Sequence, residues 1–495
     1  MRYVRASFLL LGCAPLVLNG CAHYKLASEE PPAQWSSMAE SLAPKTYANA
    51  GWVEDFGDHA LNEVVRSALA HNYDLKQAAA HMDIAKAQLR KAGADLLPVL
   101  NLGGLARRSG ALEKGGAGNF NFSGGGSGFS GIGSSGGGTT SYFDLTFEAS
   151  WEADIWGRVR AGKKAALYDY YAAENDYEAA RQSLAAQTAK AYFHAIATDK
   201  ILALAQAFEK NLLETLDVTK AFYDQGLISL LDVHLVKTDL ARARESIRNA
   251  ESAHLSALRA LEVLAGRYPE ANISHGTLFP ALPDPVPAGL PAALLERRPD
   301  LVAAERRVRA AFERRKQAVT AMLPKISLSG TFGGSSEELR TLANPENLLW
   351  SLAGNLLVPI FNAGALQADV DIRTAEQEAA GAAYNQAALN AFSEVETALS
   401  NERLFREREK DLDDAYENAK KAQDIANANF IAGETDLLDL LQIKRSTISV
   451  EIDRIRAQQE LLEQRVNLHL SLGGRILREG TFSPAHYEST PSASK

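Results

Sequence analysis

Residues 163–225 contain neither glycine nor proline. These are the two residues that interrupt helices, and what remains is rich in alanine, leucine and charged side chains that favour them. A helix over this run spans about 95 Å at about 1.5 Å per residue. That length far exceeds an ordinary globular helix and predicts a coiled coil or the wall of a tunnel. Tyr170, Tyr177, Leu184 and Ala191 recur every seven residues, and Leu202, Phe208, Leu212, Leu216 and Phe222 continue an apolar stripe. This is the pattern of helices packed side by side, and the abundant alanine permits close approach.

The arrangement occurs twice. "QGLISLLDVHLVK" (225–237) matches "AGETDLLDLLQIK" (432–444) at an offset of 207, which brings Gly226 onto Gly433, Asp232 onto Asp439, Lys237 onto Lys444 and Gly266 onto Gly473. Upstream, 72–104 matches 298–330 at an offset of 226, with Asp74 on Asp300 and Pro98 on Pro324. "ADIWG" (153–157) then parallels "VPIFNAG" (358–364), and the change of offset sits in a glycine-rich insertion of the first half. Each half reads helix, two strands, long helix, turn, helix. The long helix of the second half covers about 366–432, interrupted only by Gly381, and helices at 228–265 and 435–472 return antiparallel. Glycine at 226 and 433 suits the left-handed residue that ends a helix.

The expected organisation is a signal peptide (1–20), an N-terminal extension (21–59), a first repeat (60–267), a proline-rich connector (268–297) expected to be extended, a second repeat (298–474) and a disordered tail (475–495). Arg2 and Arg5 precede the short apolar core "ASFLLLGCAPLVL". "LNGC" (18–21) then resembles a bacterial lipoprotein box despite the unusual Asn19, so Cys21 is the expected lipidated first residue. Cys13 leaves with the signal, no disulfide is possible, and Ala22 in place of Asp implies delivery to the outer membrane. The alternative is a plain signal peptide with a chance cysteine.

A net charge of −9 lacks the basic footprint of a nucleic-acid binder. No uncharged apolar run is long enough for a membrane helix, which leaves a membrane β-barrel open. In "YFDLTFEASWEADIW" (142–156), Phe143, Leu145, Phe147, Ala149, Trp151, Ala153 and Ile155 alternate with polar residues. Period-two alternation over this length predicts a tilted membrane strand. Trp151 and Trp156 suit an aromatic girdle, and Glu148, Glu152 and Asp154 fall on the wet face as candidate lumen-lining residues, with an ordinary solvated face as the alternative. Strands are also expected at 98–108, 324–332 and 348–361. Four strands cannot close a barrel and open edges cannot face lipid. Several chains must therefore contribute; geometry alone allows two, three or four.

The lipobox, the duplicated strand–helix halves, the tip glycines and the segments "LLERRPDLVAAERRVRAA" (294–311), "LPKISLSGTFGG" and "VPIFNAG" together resemble the TolC-type outer-membrane efflux proteins. The nearest branch is that of the OprM/NodT-like lipoproteins that serve resistance–nodulation–division (RND) pumps. The resemblance covers nearly all of the mature chain. It implies an α+β membrane protein: a homotrimer whose twelve-stranded β-barrel, four strands per chain, continues into a long periplasmic α-helical coiled-coil barrel. It further implies outer-membrane lipid around the barrel, and a periplasmic adaptor and an inner-membrane RND pump at the other end.

On this resemblance "GLISLLD" and "GETDLLD" are the hairpin tips, where a drug conduit has its closure. Asp439 matches a family position where an acid narrows the mouth. A carboxylate ring there would repel anions and attract cations, and Leu438 would supply an apolar layer that closes by dewetting. Asp232 is the matching acid of the first repeat. Gln442 stands where some relatives carry a second acid, and Phe430 and Thr435 stand where TolC ties its tips with Tyr and Arg. Asp232 therefore lacks its usual partners, and the closed state is expected to rely more on packing. Gly226, Leu227, Ser229, Gly433 and Thr435 resemble adaptor-contacting positions, although capping and turn chemistry alone would also place glycines and a serine there.

The implied function is a passive exit duct for drugs or other small molecules. The alternatives are a duct for type I protein secretion and a non-conducting periplasmic scaffold lipoprotein; the alternating strands speak against a scaffold. "GSGFSG" (126–131) fits a dinucleotide fingerprint but lies between two strands and reads as an external loop. The ten histidines show no metal-ligand spacing. Arg297, Arg298, Asp300, Arg306 and Arg307 read as a solvated helix face and helix-start signals. Nothing assembles a nucleophile, base and oxyanion site, so the chain reads as a non-enzyme with no cofactor.

Overall fold

The computed structural model describes residues 51–110, 139–283, 286, 295–474 and 476. The signal peptide, Cys21, the glycine-rich insertion, part of the connector and nearly all of the tail lie outside them. Three N-terminal helices come first: α1 (Trp52–Asp55), α2 (His59–His71) and α3 (Tyr73–Ala94). Then follow β1 (Val99–Gly110), β2 (Thr139–Ala153), α4 (Arg158–Asp224) and α5 (Leu230–Leu264). The second half gives α6 (Pro299–Ala321), β3 (Lys325–Ser336), β4 (Leu348–Leu357), α7 (Ala365–Ala432) and α8 (Leu437–Ser471).

Helices α4 and α7, of 67 and 68 residues, are the spines, each about 100 Å long. Gly381 does not interrupt α7; it lies buried within the helix. Both spines start after a left-handed glycine, Gly157 (φ 79°) and Gly364 (φ 85°), which turns the chain from strand to helix. Beside its sheet-proximal half α4 carries α3 and α6; beside its distal half it carries α5 and α8. Helix α7 packs on α6 and α8 in the same way. The result is one layer of helices in the order α3–α4–α6–α7 near the sheet and α5–α4–α8–α7 near the tips.

Such a layer has little interior, and the apolar burial concentrates in three places. Around the middle, Trp52, Phe56, Leu61 and Val65 of the N-terminal segment cover Phe193, Ile196, Leu261 and Val466. Leu301, Ala391, Val395 and Leu468 form a second cluster, and Leu212, Val236, Phe430 and Leu440 belong to a third near the tips. Arg465, fully buried, reaches Glu402 through Nη2 at 2.5 Å and donates from Nη1 to the Pro283 carbonyl at 2.6 Å. His469 stacks on Trp52 at 5.7 Å, and burial, with Arg465 nearby, pushes its imidazole down to about 3.

Three expectations are corrected. Strand β2 ends at Ala153, so Asp154, Ile155 and Trp156 lie beyond it. Arg298 is buried rather than solvated: it donates to Asp300 at 2.7 Å, to Glu394 at 2.6 Å and to the Ser471 carbonyl at 3.3 Å. Arg307 likewise pairs with Asp176, tying α6 to α4. Where it is described, the connector is no free extended linker. The buried Glu262 carboxylate accepts the backbone N–H groups of Ala271, Asn272 and Ile273 and folds that stretch back onto α5.

Candidate functional site: the sheet lining and the helix tips

The sheet runs β1–β2–β3–β4, all antiparallel, leaving β1 and β4 as edges. Directly paired residues share a face, so the register sorts the side chains. One row across the four strands reads Leu102, Phe147, Phe332, Trp350, and the next of the same face reads Leu100, Ala149, Gly330, Leu352. The intervening row, on the other face, reads Asn101, Glu148, Thr331, Ser351. A further row of that face holds Glu152, Ser327 and Asn355. One face is therefore greasy across the whole width and the other is polar in its central rows, with Leu105 and Leu349 as apolar exceptions, which suits a wall between lipid and water.

The junction between sheet and helices is fastened by the residues that end β2. Asp154 accepts from the backbone N–H groups of Val159 and Arg160, both at 2.9 Å, and so caps α4 where the helix dipole favours an anion. Glu152 pairs with Arg158 at 2.8 Å and with Lys325 at 3.2 Å. Trp151 donates its indole N–H to the Leu96 carbonyl and Trp156 to that of Pro324. Of the three acids expected on the wet face, Glu148 is exposed, Glu152 is tied at the rim, and Asp154 is a helix cap past the strand.

At the other end both long helices stop in the same left-handed turn. Gly226 has φ 76° and Gly433 φ 78°. In each, the N–H of the residue after that glycine reaches back to an orphan carbonyl, Leu227 to Phe222 at 2.9 Å and Glu434 to Asn429 at 2.8 Å. The restart differs between the tips. The half-buried Asp232 accepts from Ser229 N at 2.9 Å and Ser229 Oγ at 2.8 Å, as in a capping box. Its partner is thus the adjacent serine. Asp439 is exposed, and among the described residues no hydrogen bond or ion pair engages its carboxylate. Leu438 and Gln442 are exposed beside it, as are Leu227 and Gly433, while Thr435 is half-buried.

Behind the tips the two hairpins are joined. Phe430 of α7 is buried against Phe222 of α4, ring centroids 5.7 Å apart. Lys444 of α8, 3% exposed, donates to Asn211 Oδ1 at 2.6 Å and to Thr215 Oγ1 at 2.7 Å, both on α4. Burial pulls its ammonium down to about 8, against a weaker opposing pull from Glu214. Arg445 adds a 3.4 Å pair to Asp239 of α5. The repeat register had marked Lys444 only as the counterpart of Lys237, which is exposed. Its burial comes from the contact between hairpins, for which one helix's sequence carries no sign.

A family model of outer membrane efflux proteins matches residues 64–267 and 290–474. The chain belongs to that family. Its curated relatives include the pyoverdine export outer membrane protein OpmQ of Pseudomonas putida, 30% identical over 446 residues, covering 90% of this chain and 92% of OpmQ. The cation efflux system protein CusC of Escherichia coli K12 is 27% identical over 474 residues, covering 94% of this chain and 99% of CusC. The solved open state of the MtrE outer membrane channel of Neisseria gonorrhoeae superposes with a TM-score of 0.77 at 26% identity, over 91% of this chain and 96% of MtrE. As in these relatives, the chain is an outer-membrane efflux channel that extends into the periplasm and works with efflux-pump components. Three copies close the twelve-stranded barrel that four strands cannot, with the helical barrel continuous below it.

Proposed function

We propose that this channel is the passive exit duct for small molecules handed over by an inner-membrane RND pump through a periplasmic adaptor. One observation carries the reading: a sheet greasy on one face and polar on the other continues, through a fastened junction, into two helices of 67 and 68 residues. That is a membrane wall joined to a duct rather than a scaffold. The names of the relatives, pyoverdine export and cation efflux, cover unlike cargoes. A polar lining including Glu148 and Glu152 suits a duct whose selectivity lies in the pump. Lipidation at Cys21 would add an anchor to the barrel's own hold on the membrane.

The gate in this proposal is formed by Asp439 and Leu438 of each chain, with Gln442 beside them. Exposure of all three, and the absence of a partner for the Asp439 carboxylate among the described residues, support it. Asp232 takes a lesser part because its carboxylate is committed to the cap. The Phe222–Phe430 contact supports a closed state held by packing. Gly226, Leu227, Ser229, Gly433 and Thr435 would meet the adaptor. A photo-crosslinking residue at Ser229, and separately at Thr435, tests this in living cells. Capture of an adaptor and its pump is expected; capture of sister chains alone, with folded trimer confirmed, would overturn it.

A further inference from the structure

Three groups that are remote in sequence meet near the middle of the first hairpin. Asp199 comes from α4, His254 from α5 and His275 from the segment after α5. One ligand atom from each lies within 4.8 Å of the others, and all three residues are half-buried. The two imidazole rings stand 5.4 Å apart.

The hydrogen bonds are compatible with a tautomer that leaves Nε2 bare on each ring. Thr198 Oγ1 donates its proton to α4 carbonyls, Ala195 at 2.9 Å and His194 at 3.1 Å. The same oxygen lies 3.2 Å from His254 Nδ1; in the tautomer in which Nδ1 donates to it, Nε2 carries the lone pair. The His275 Nδ1 faces the Ile273 carbonyl at 3.4 Å, which can only accept. Its Nε2 is then also a bare lone pair, and that atom is buried with no hydrogen-bond partner among the described residues. A buried acceptor left unmade is costly.

The segment that presents His275 is held on both sides. Glu262 grips residues 271–273, with Ala271 at a left-handed φ of 62°, and Tyr192 Oη accepts from Gly276 N at 2.9 Å. The site is thus pre-positioned by the fold. The second repeat has no counterpart: an offset of 207 places Arg406 and Leu461 at the positions of Asp199 and His254.

We propose that Asp199, His254 and His275 bind a divalent first-row transition-metal ion such as Zn2+. Two neutral imidazoles with their outer nitrogens oriented by a hydroxyl and a carbonyl, plus one carboxylate, form a three-ligand set with a fourth position for water. Bonds of about 2.0–2.2 Å need ligand atoms closer together than the present outer limit, which side-chain rotation supplies. The bound ion would staple the start of the connector to the α4–α5 hairpin.

The test uses the full-length trimer in detergent, purified without a polyhistidine tag and stripped with chelator. Calorimetric titration with Zn2+ should give one ion per chain and raise the melting temperature, and Co2+ should give the visible absorption of a low-coordinate nitrogen–oxygen site. His254→Gln and His275→Gln, each still trimeric by size exclusion, should weaken Zn2+ binding at least tenfold. Asp199→Asn should weaken it less, and His194→Gln should leave it unchanged. No saturable binding by wild type, or binding equally strong in His275→Gln, overturns the proposal. This outcome is independent of whether the tips form the gate.

Discussion

Asp232 and Asp439 occupy equivalent places in the two repeats yet do different work. The first is consumed by Ser229, and the second is free of partners among the described residues. The two alanine variants should therefore separate. Asp439→Ala should raise single-channel conductance modestly with little change in melting; an unchanged conductance would remove Asp439 from the gate. Asp232→Ala should lower stability by about 0.5–2 kcal/mol through the lost cap, and move conductance less. Lys444 gives a pH signature. Its ammonium titrates at about 8 in the folded chain against 10.5 for the free side chain. Between those values the unfolded chain holds the extra proton, so stability rises with pH across that window. Thermal melts from pH 8 to pH 10 should show the rise, and Lys444→Met should abolish it.

At the scale of elements, much was legible because the signals are local. Two-residue alternation located β2, and the long glycine- and proline-free run located α4, each within a few residues. The repeat offset by itself pairs the two tips. What escaped depended on contacts between elements. Asp154 looked like one more polar residue of β2, but the strand ends first because the Val159 and Arg160 N–H groups need a cap. Arg298 looked solvated because its partners Glu394 and Ser471 are distant in sequence. The histidine cluster was invisible for the same reason.

The turns admit a sharp comparison. A Cβ on Gly433 would meet nothing within 4 Å, whereas one on Gly266 would meet the His71 carbonyl oxygen at 2.6 Å. Both glycines have positive φ. Gly433→Ala should therefore cost only the left-handed penalty, about 1–2 kcal/mol, seen as a small drop in trimer melting. Gly266→Ala adds a clash with backbone and should sharply reduce folded trimer; equal melting of the two variants would contradict this account.

For the whole molecule, the sheet's two faces set what each side tolerates. Leu352 and Ser351 are neighbours on β4 but belong to opposite rows. Leu352→Arg places a charge against lipid at a cost of about 2–4 kcal/mol near the midplane. It should deplete the trimer from the outer membrane. Ser351→Arg should assemble normally and shift ion selectivity toward anions, read as a change in reversal potential. The reverse pattern would mean that the faces have been assigned the wrong way round.

The edge strands β1 and β4 carry a consequence for inheritance. Each chain's sheet is finished only by its neighbours, so a subunit that folds its helices but presents a faulty edge does not fail alone. It occupies a place in the ring and spoils the two sound copies beside it. In a cell carrying one normal and one defective gene, most rings would contain at least one bad member. Mutations at the strand edges should thus behave as dominant, whereas those that prevent a chain from folding at all should be recessive.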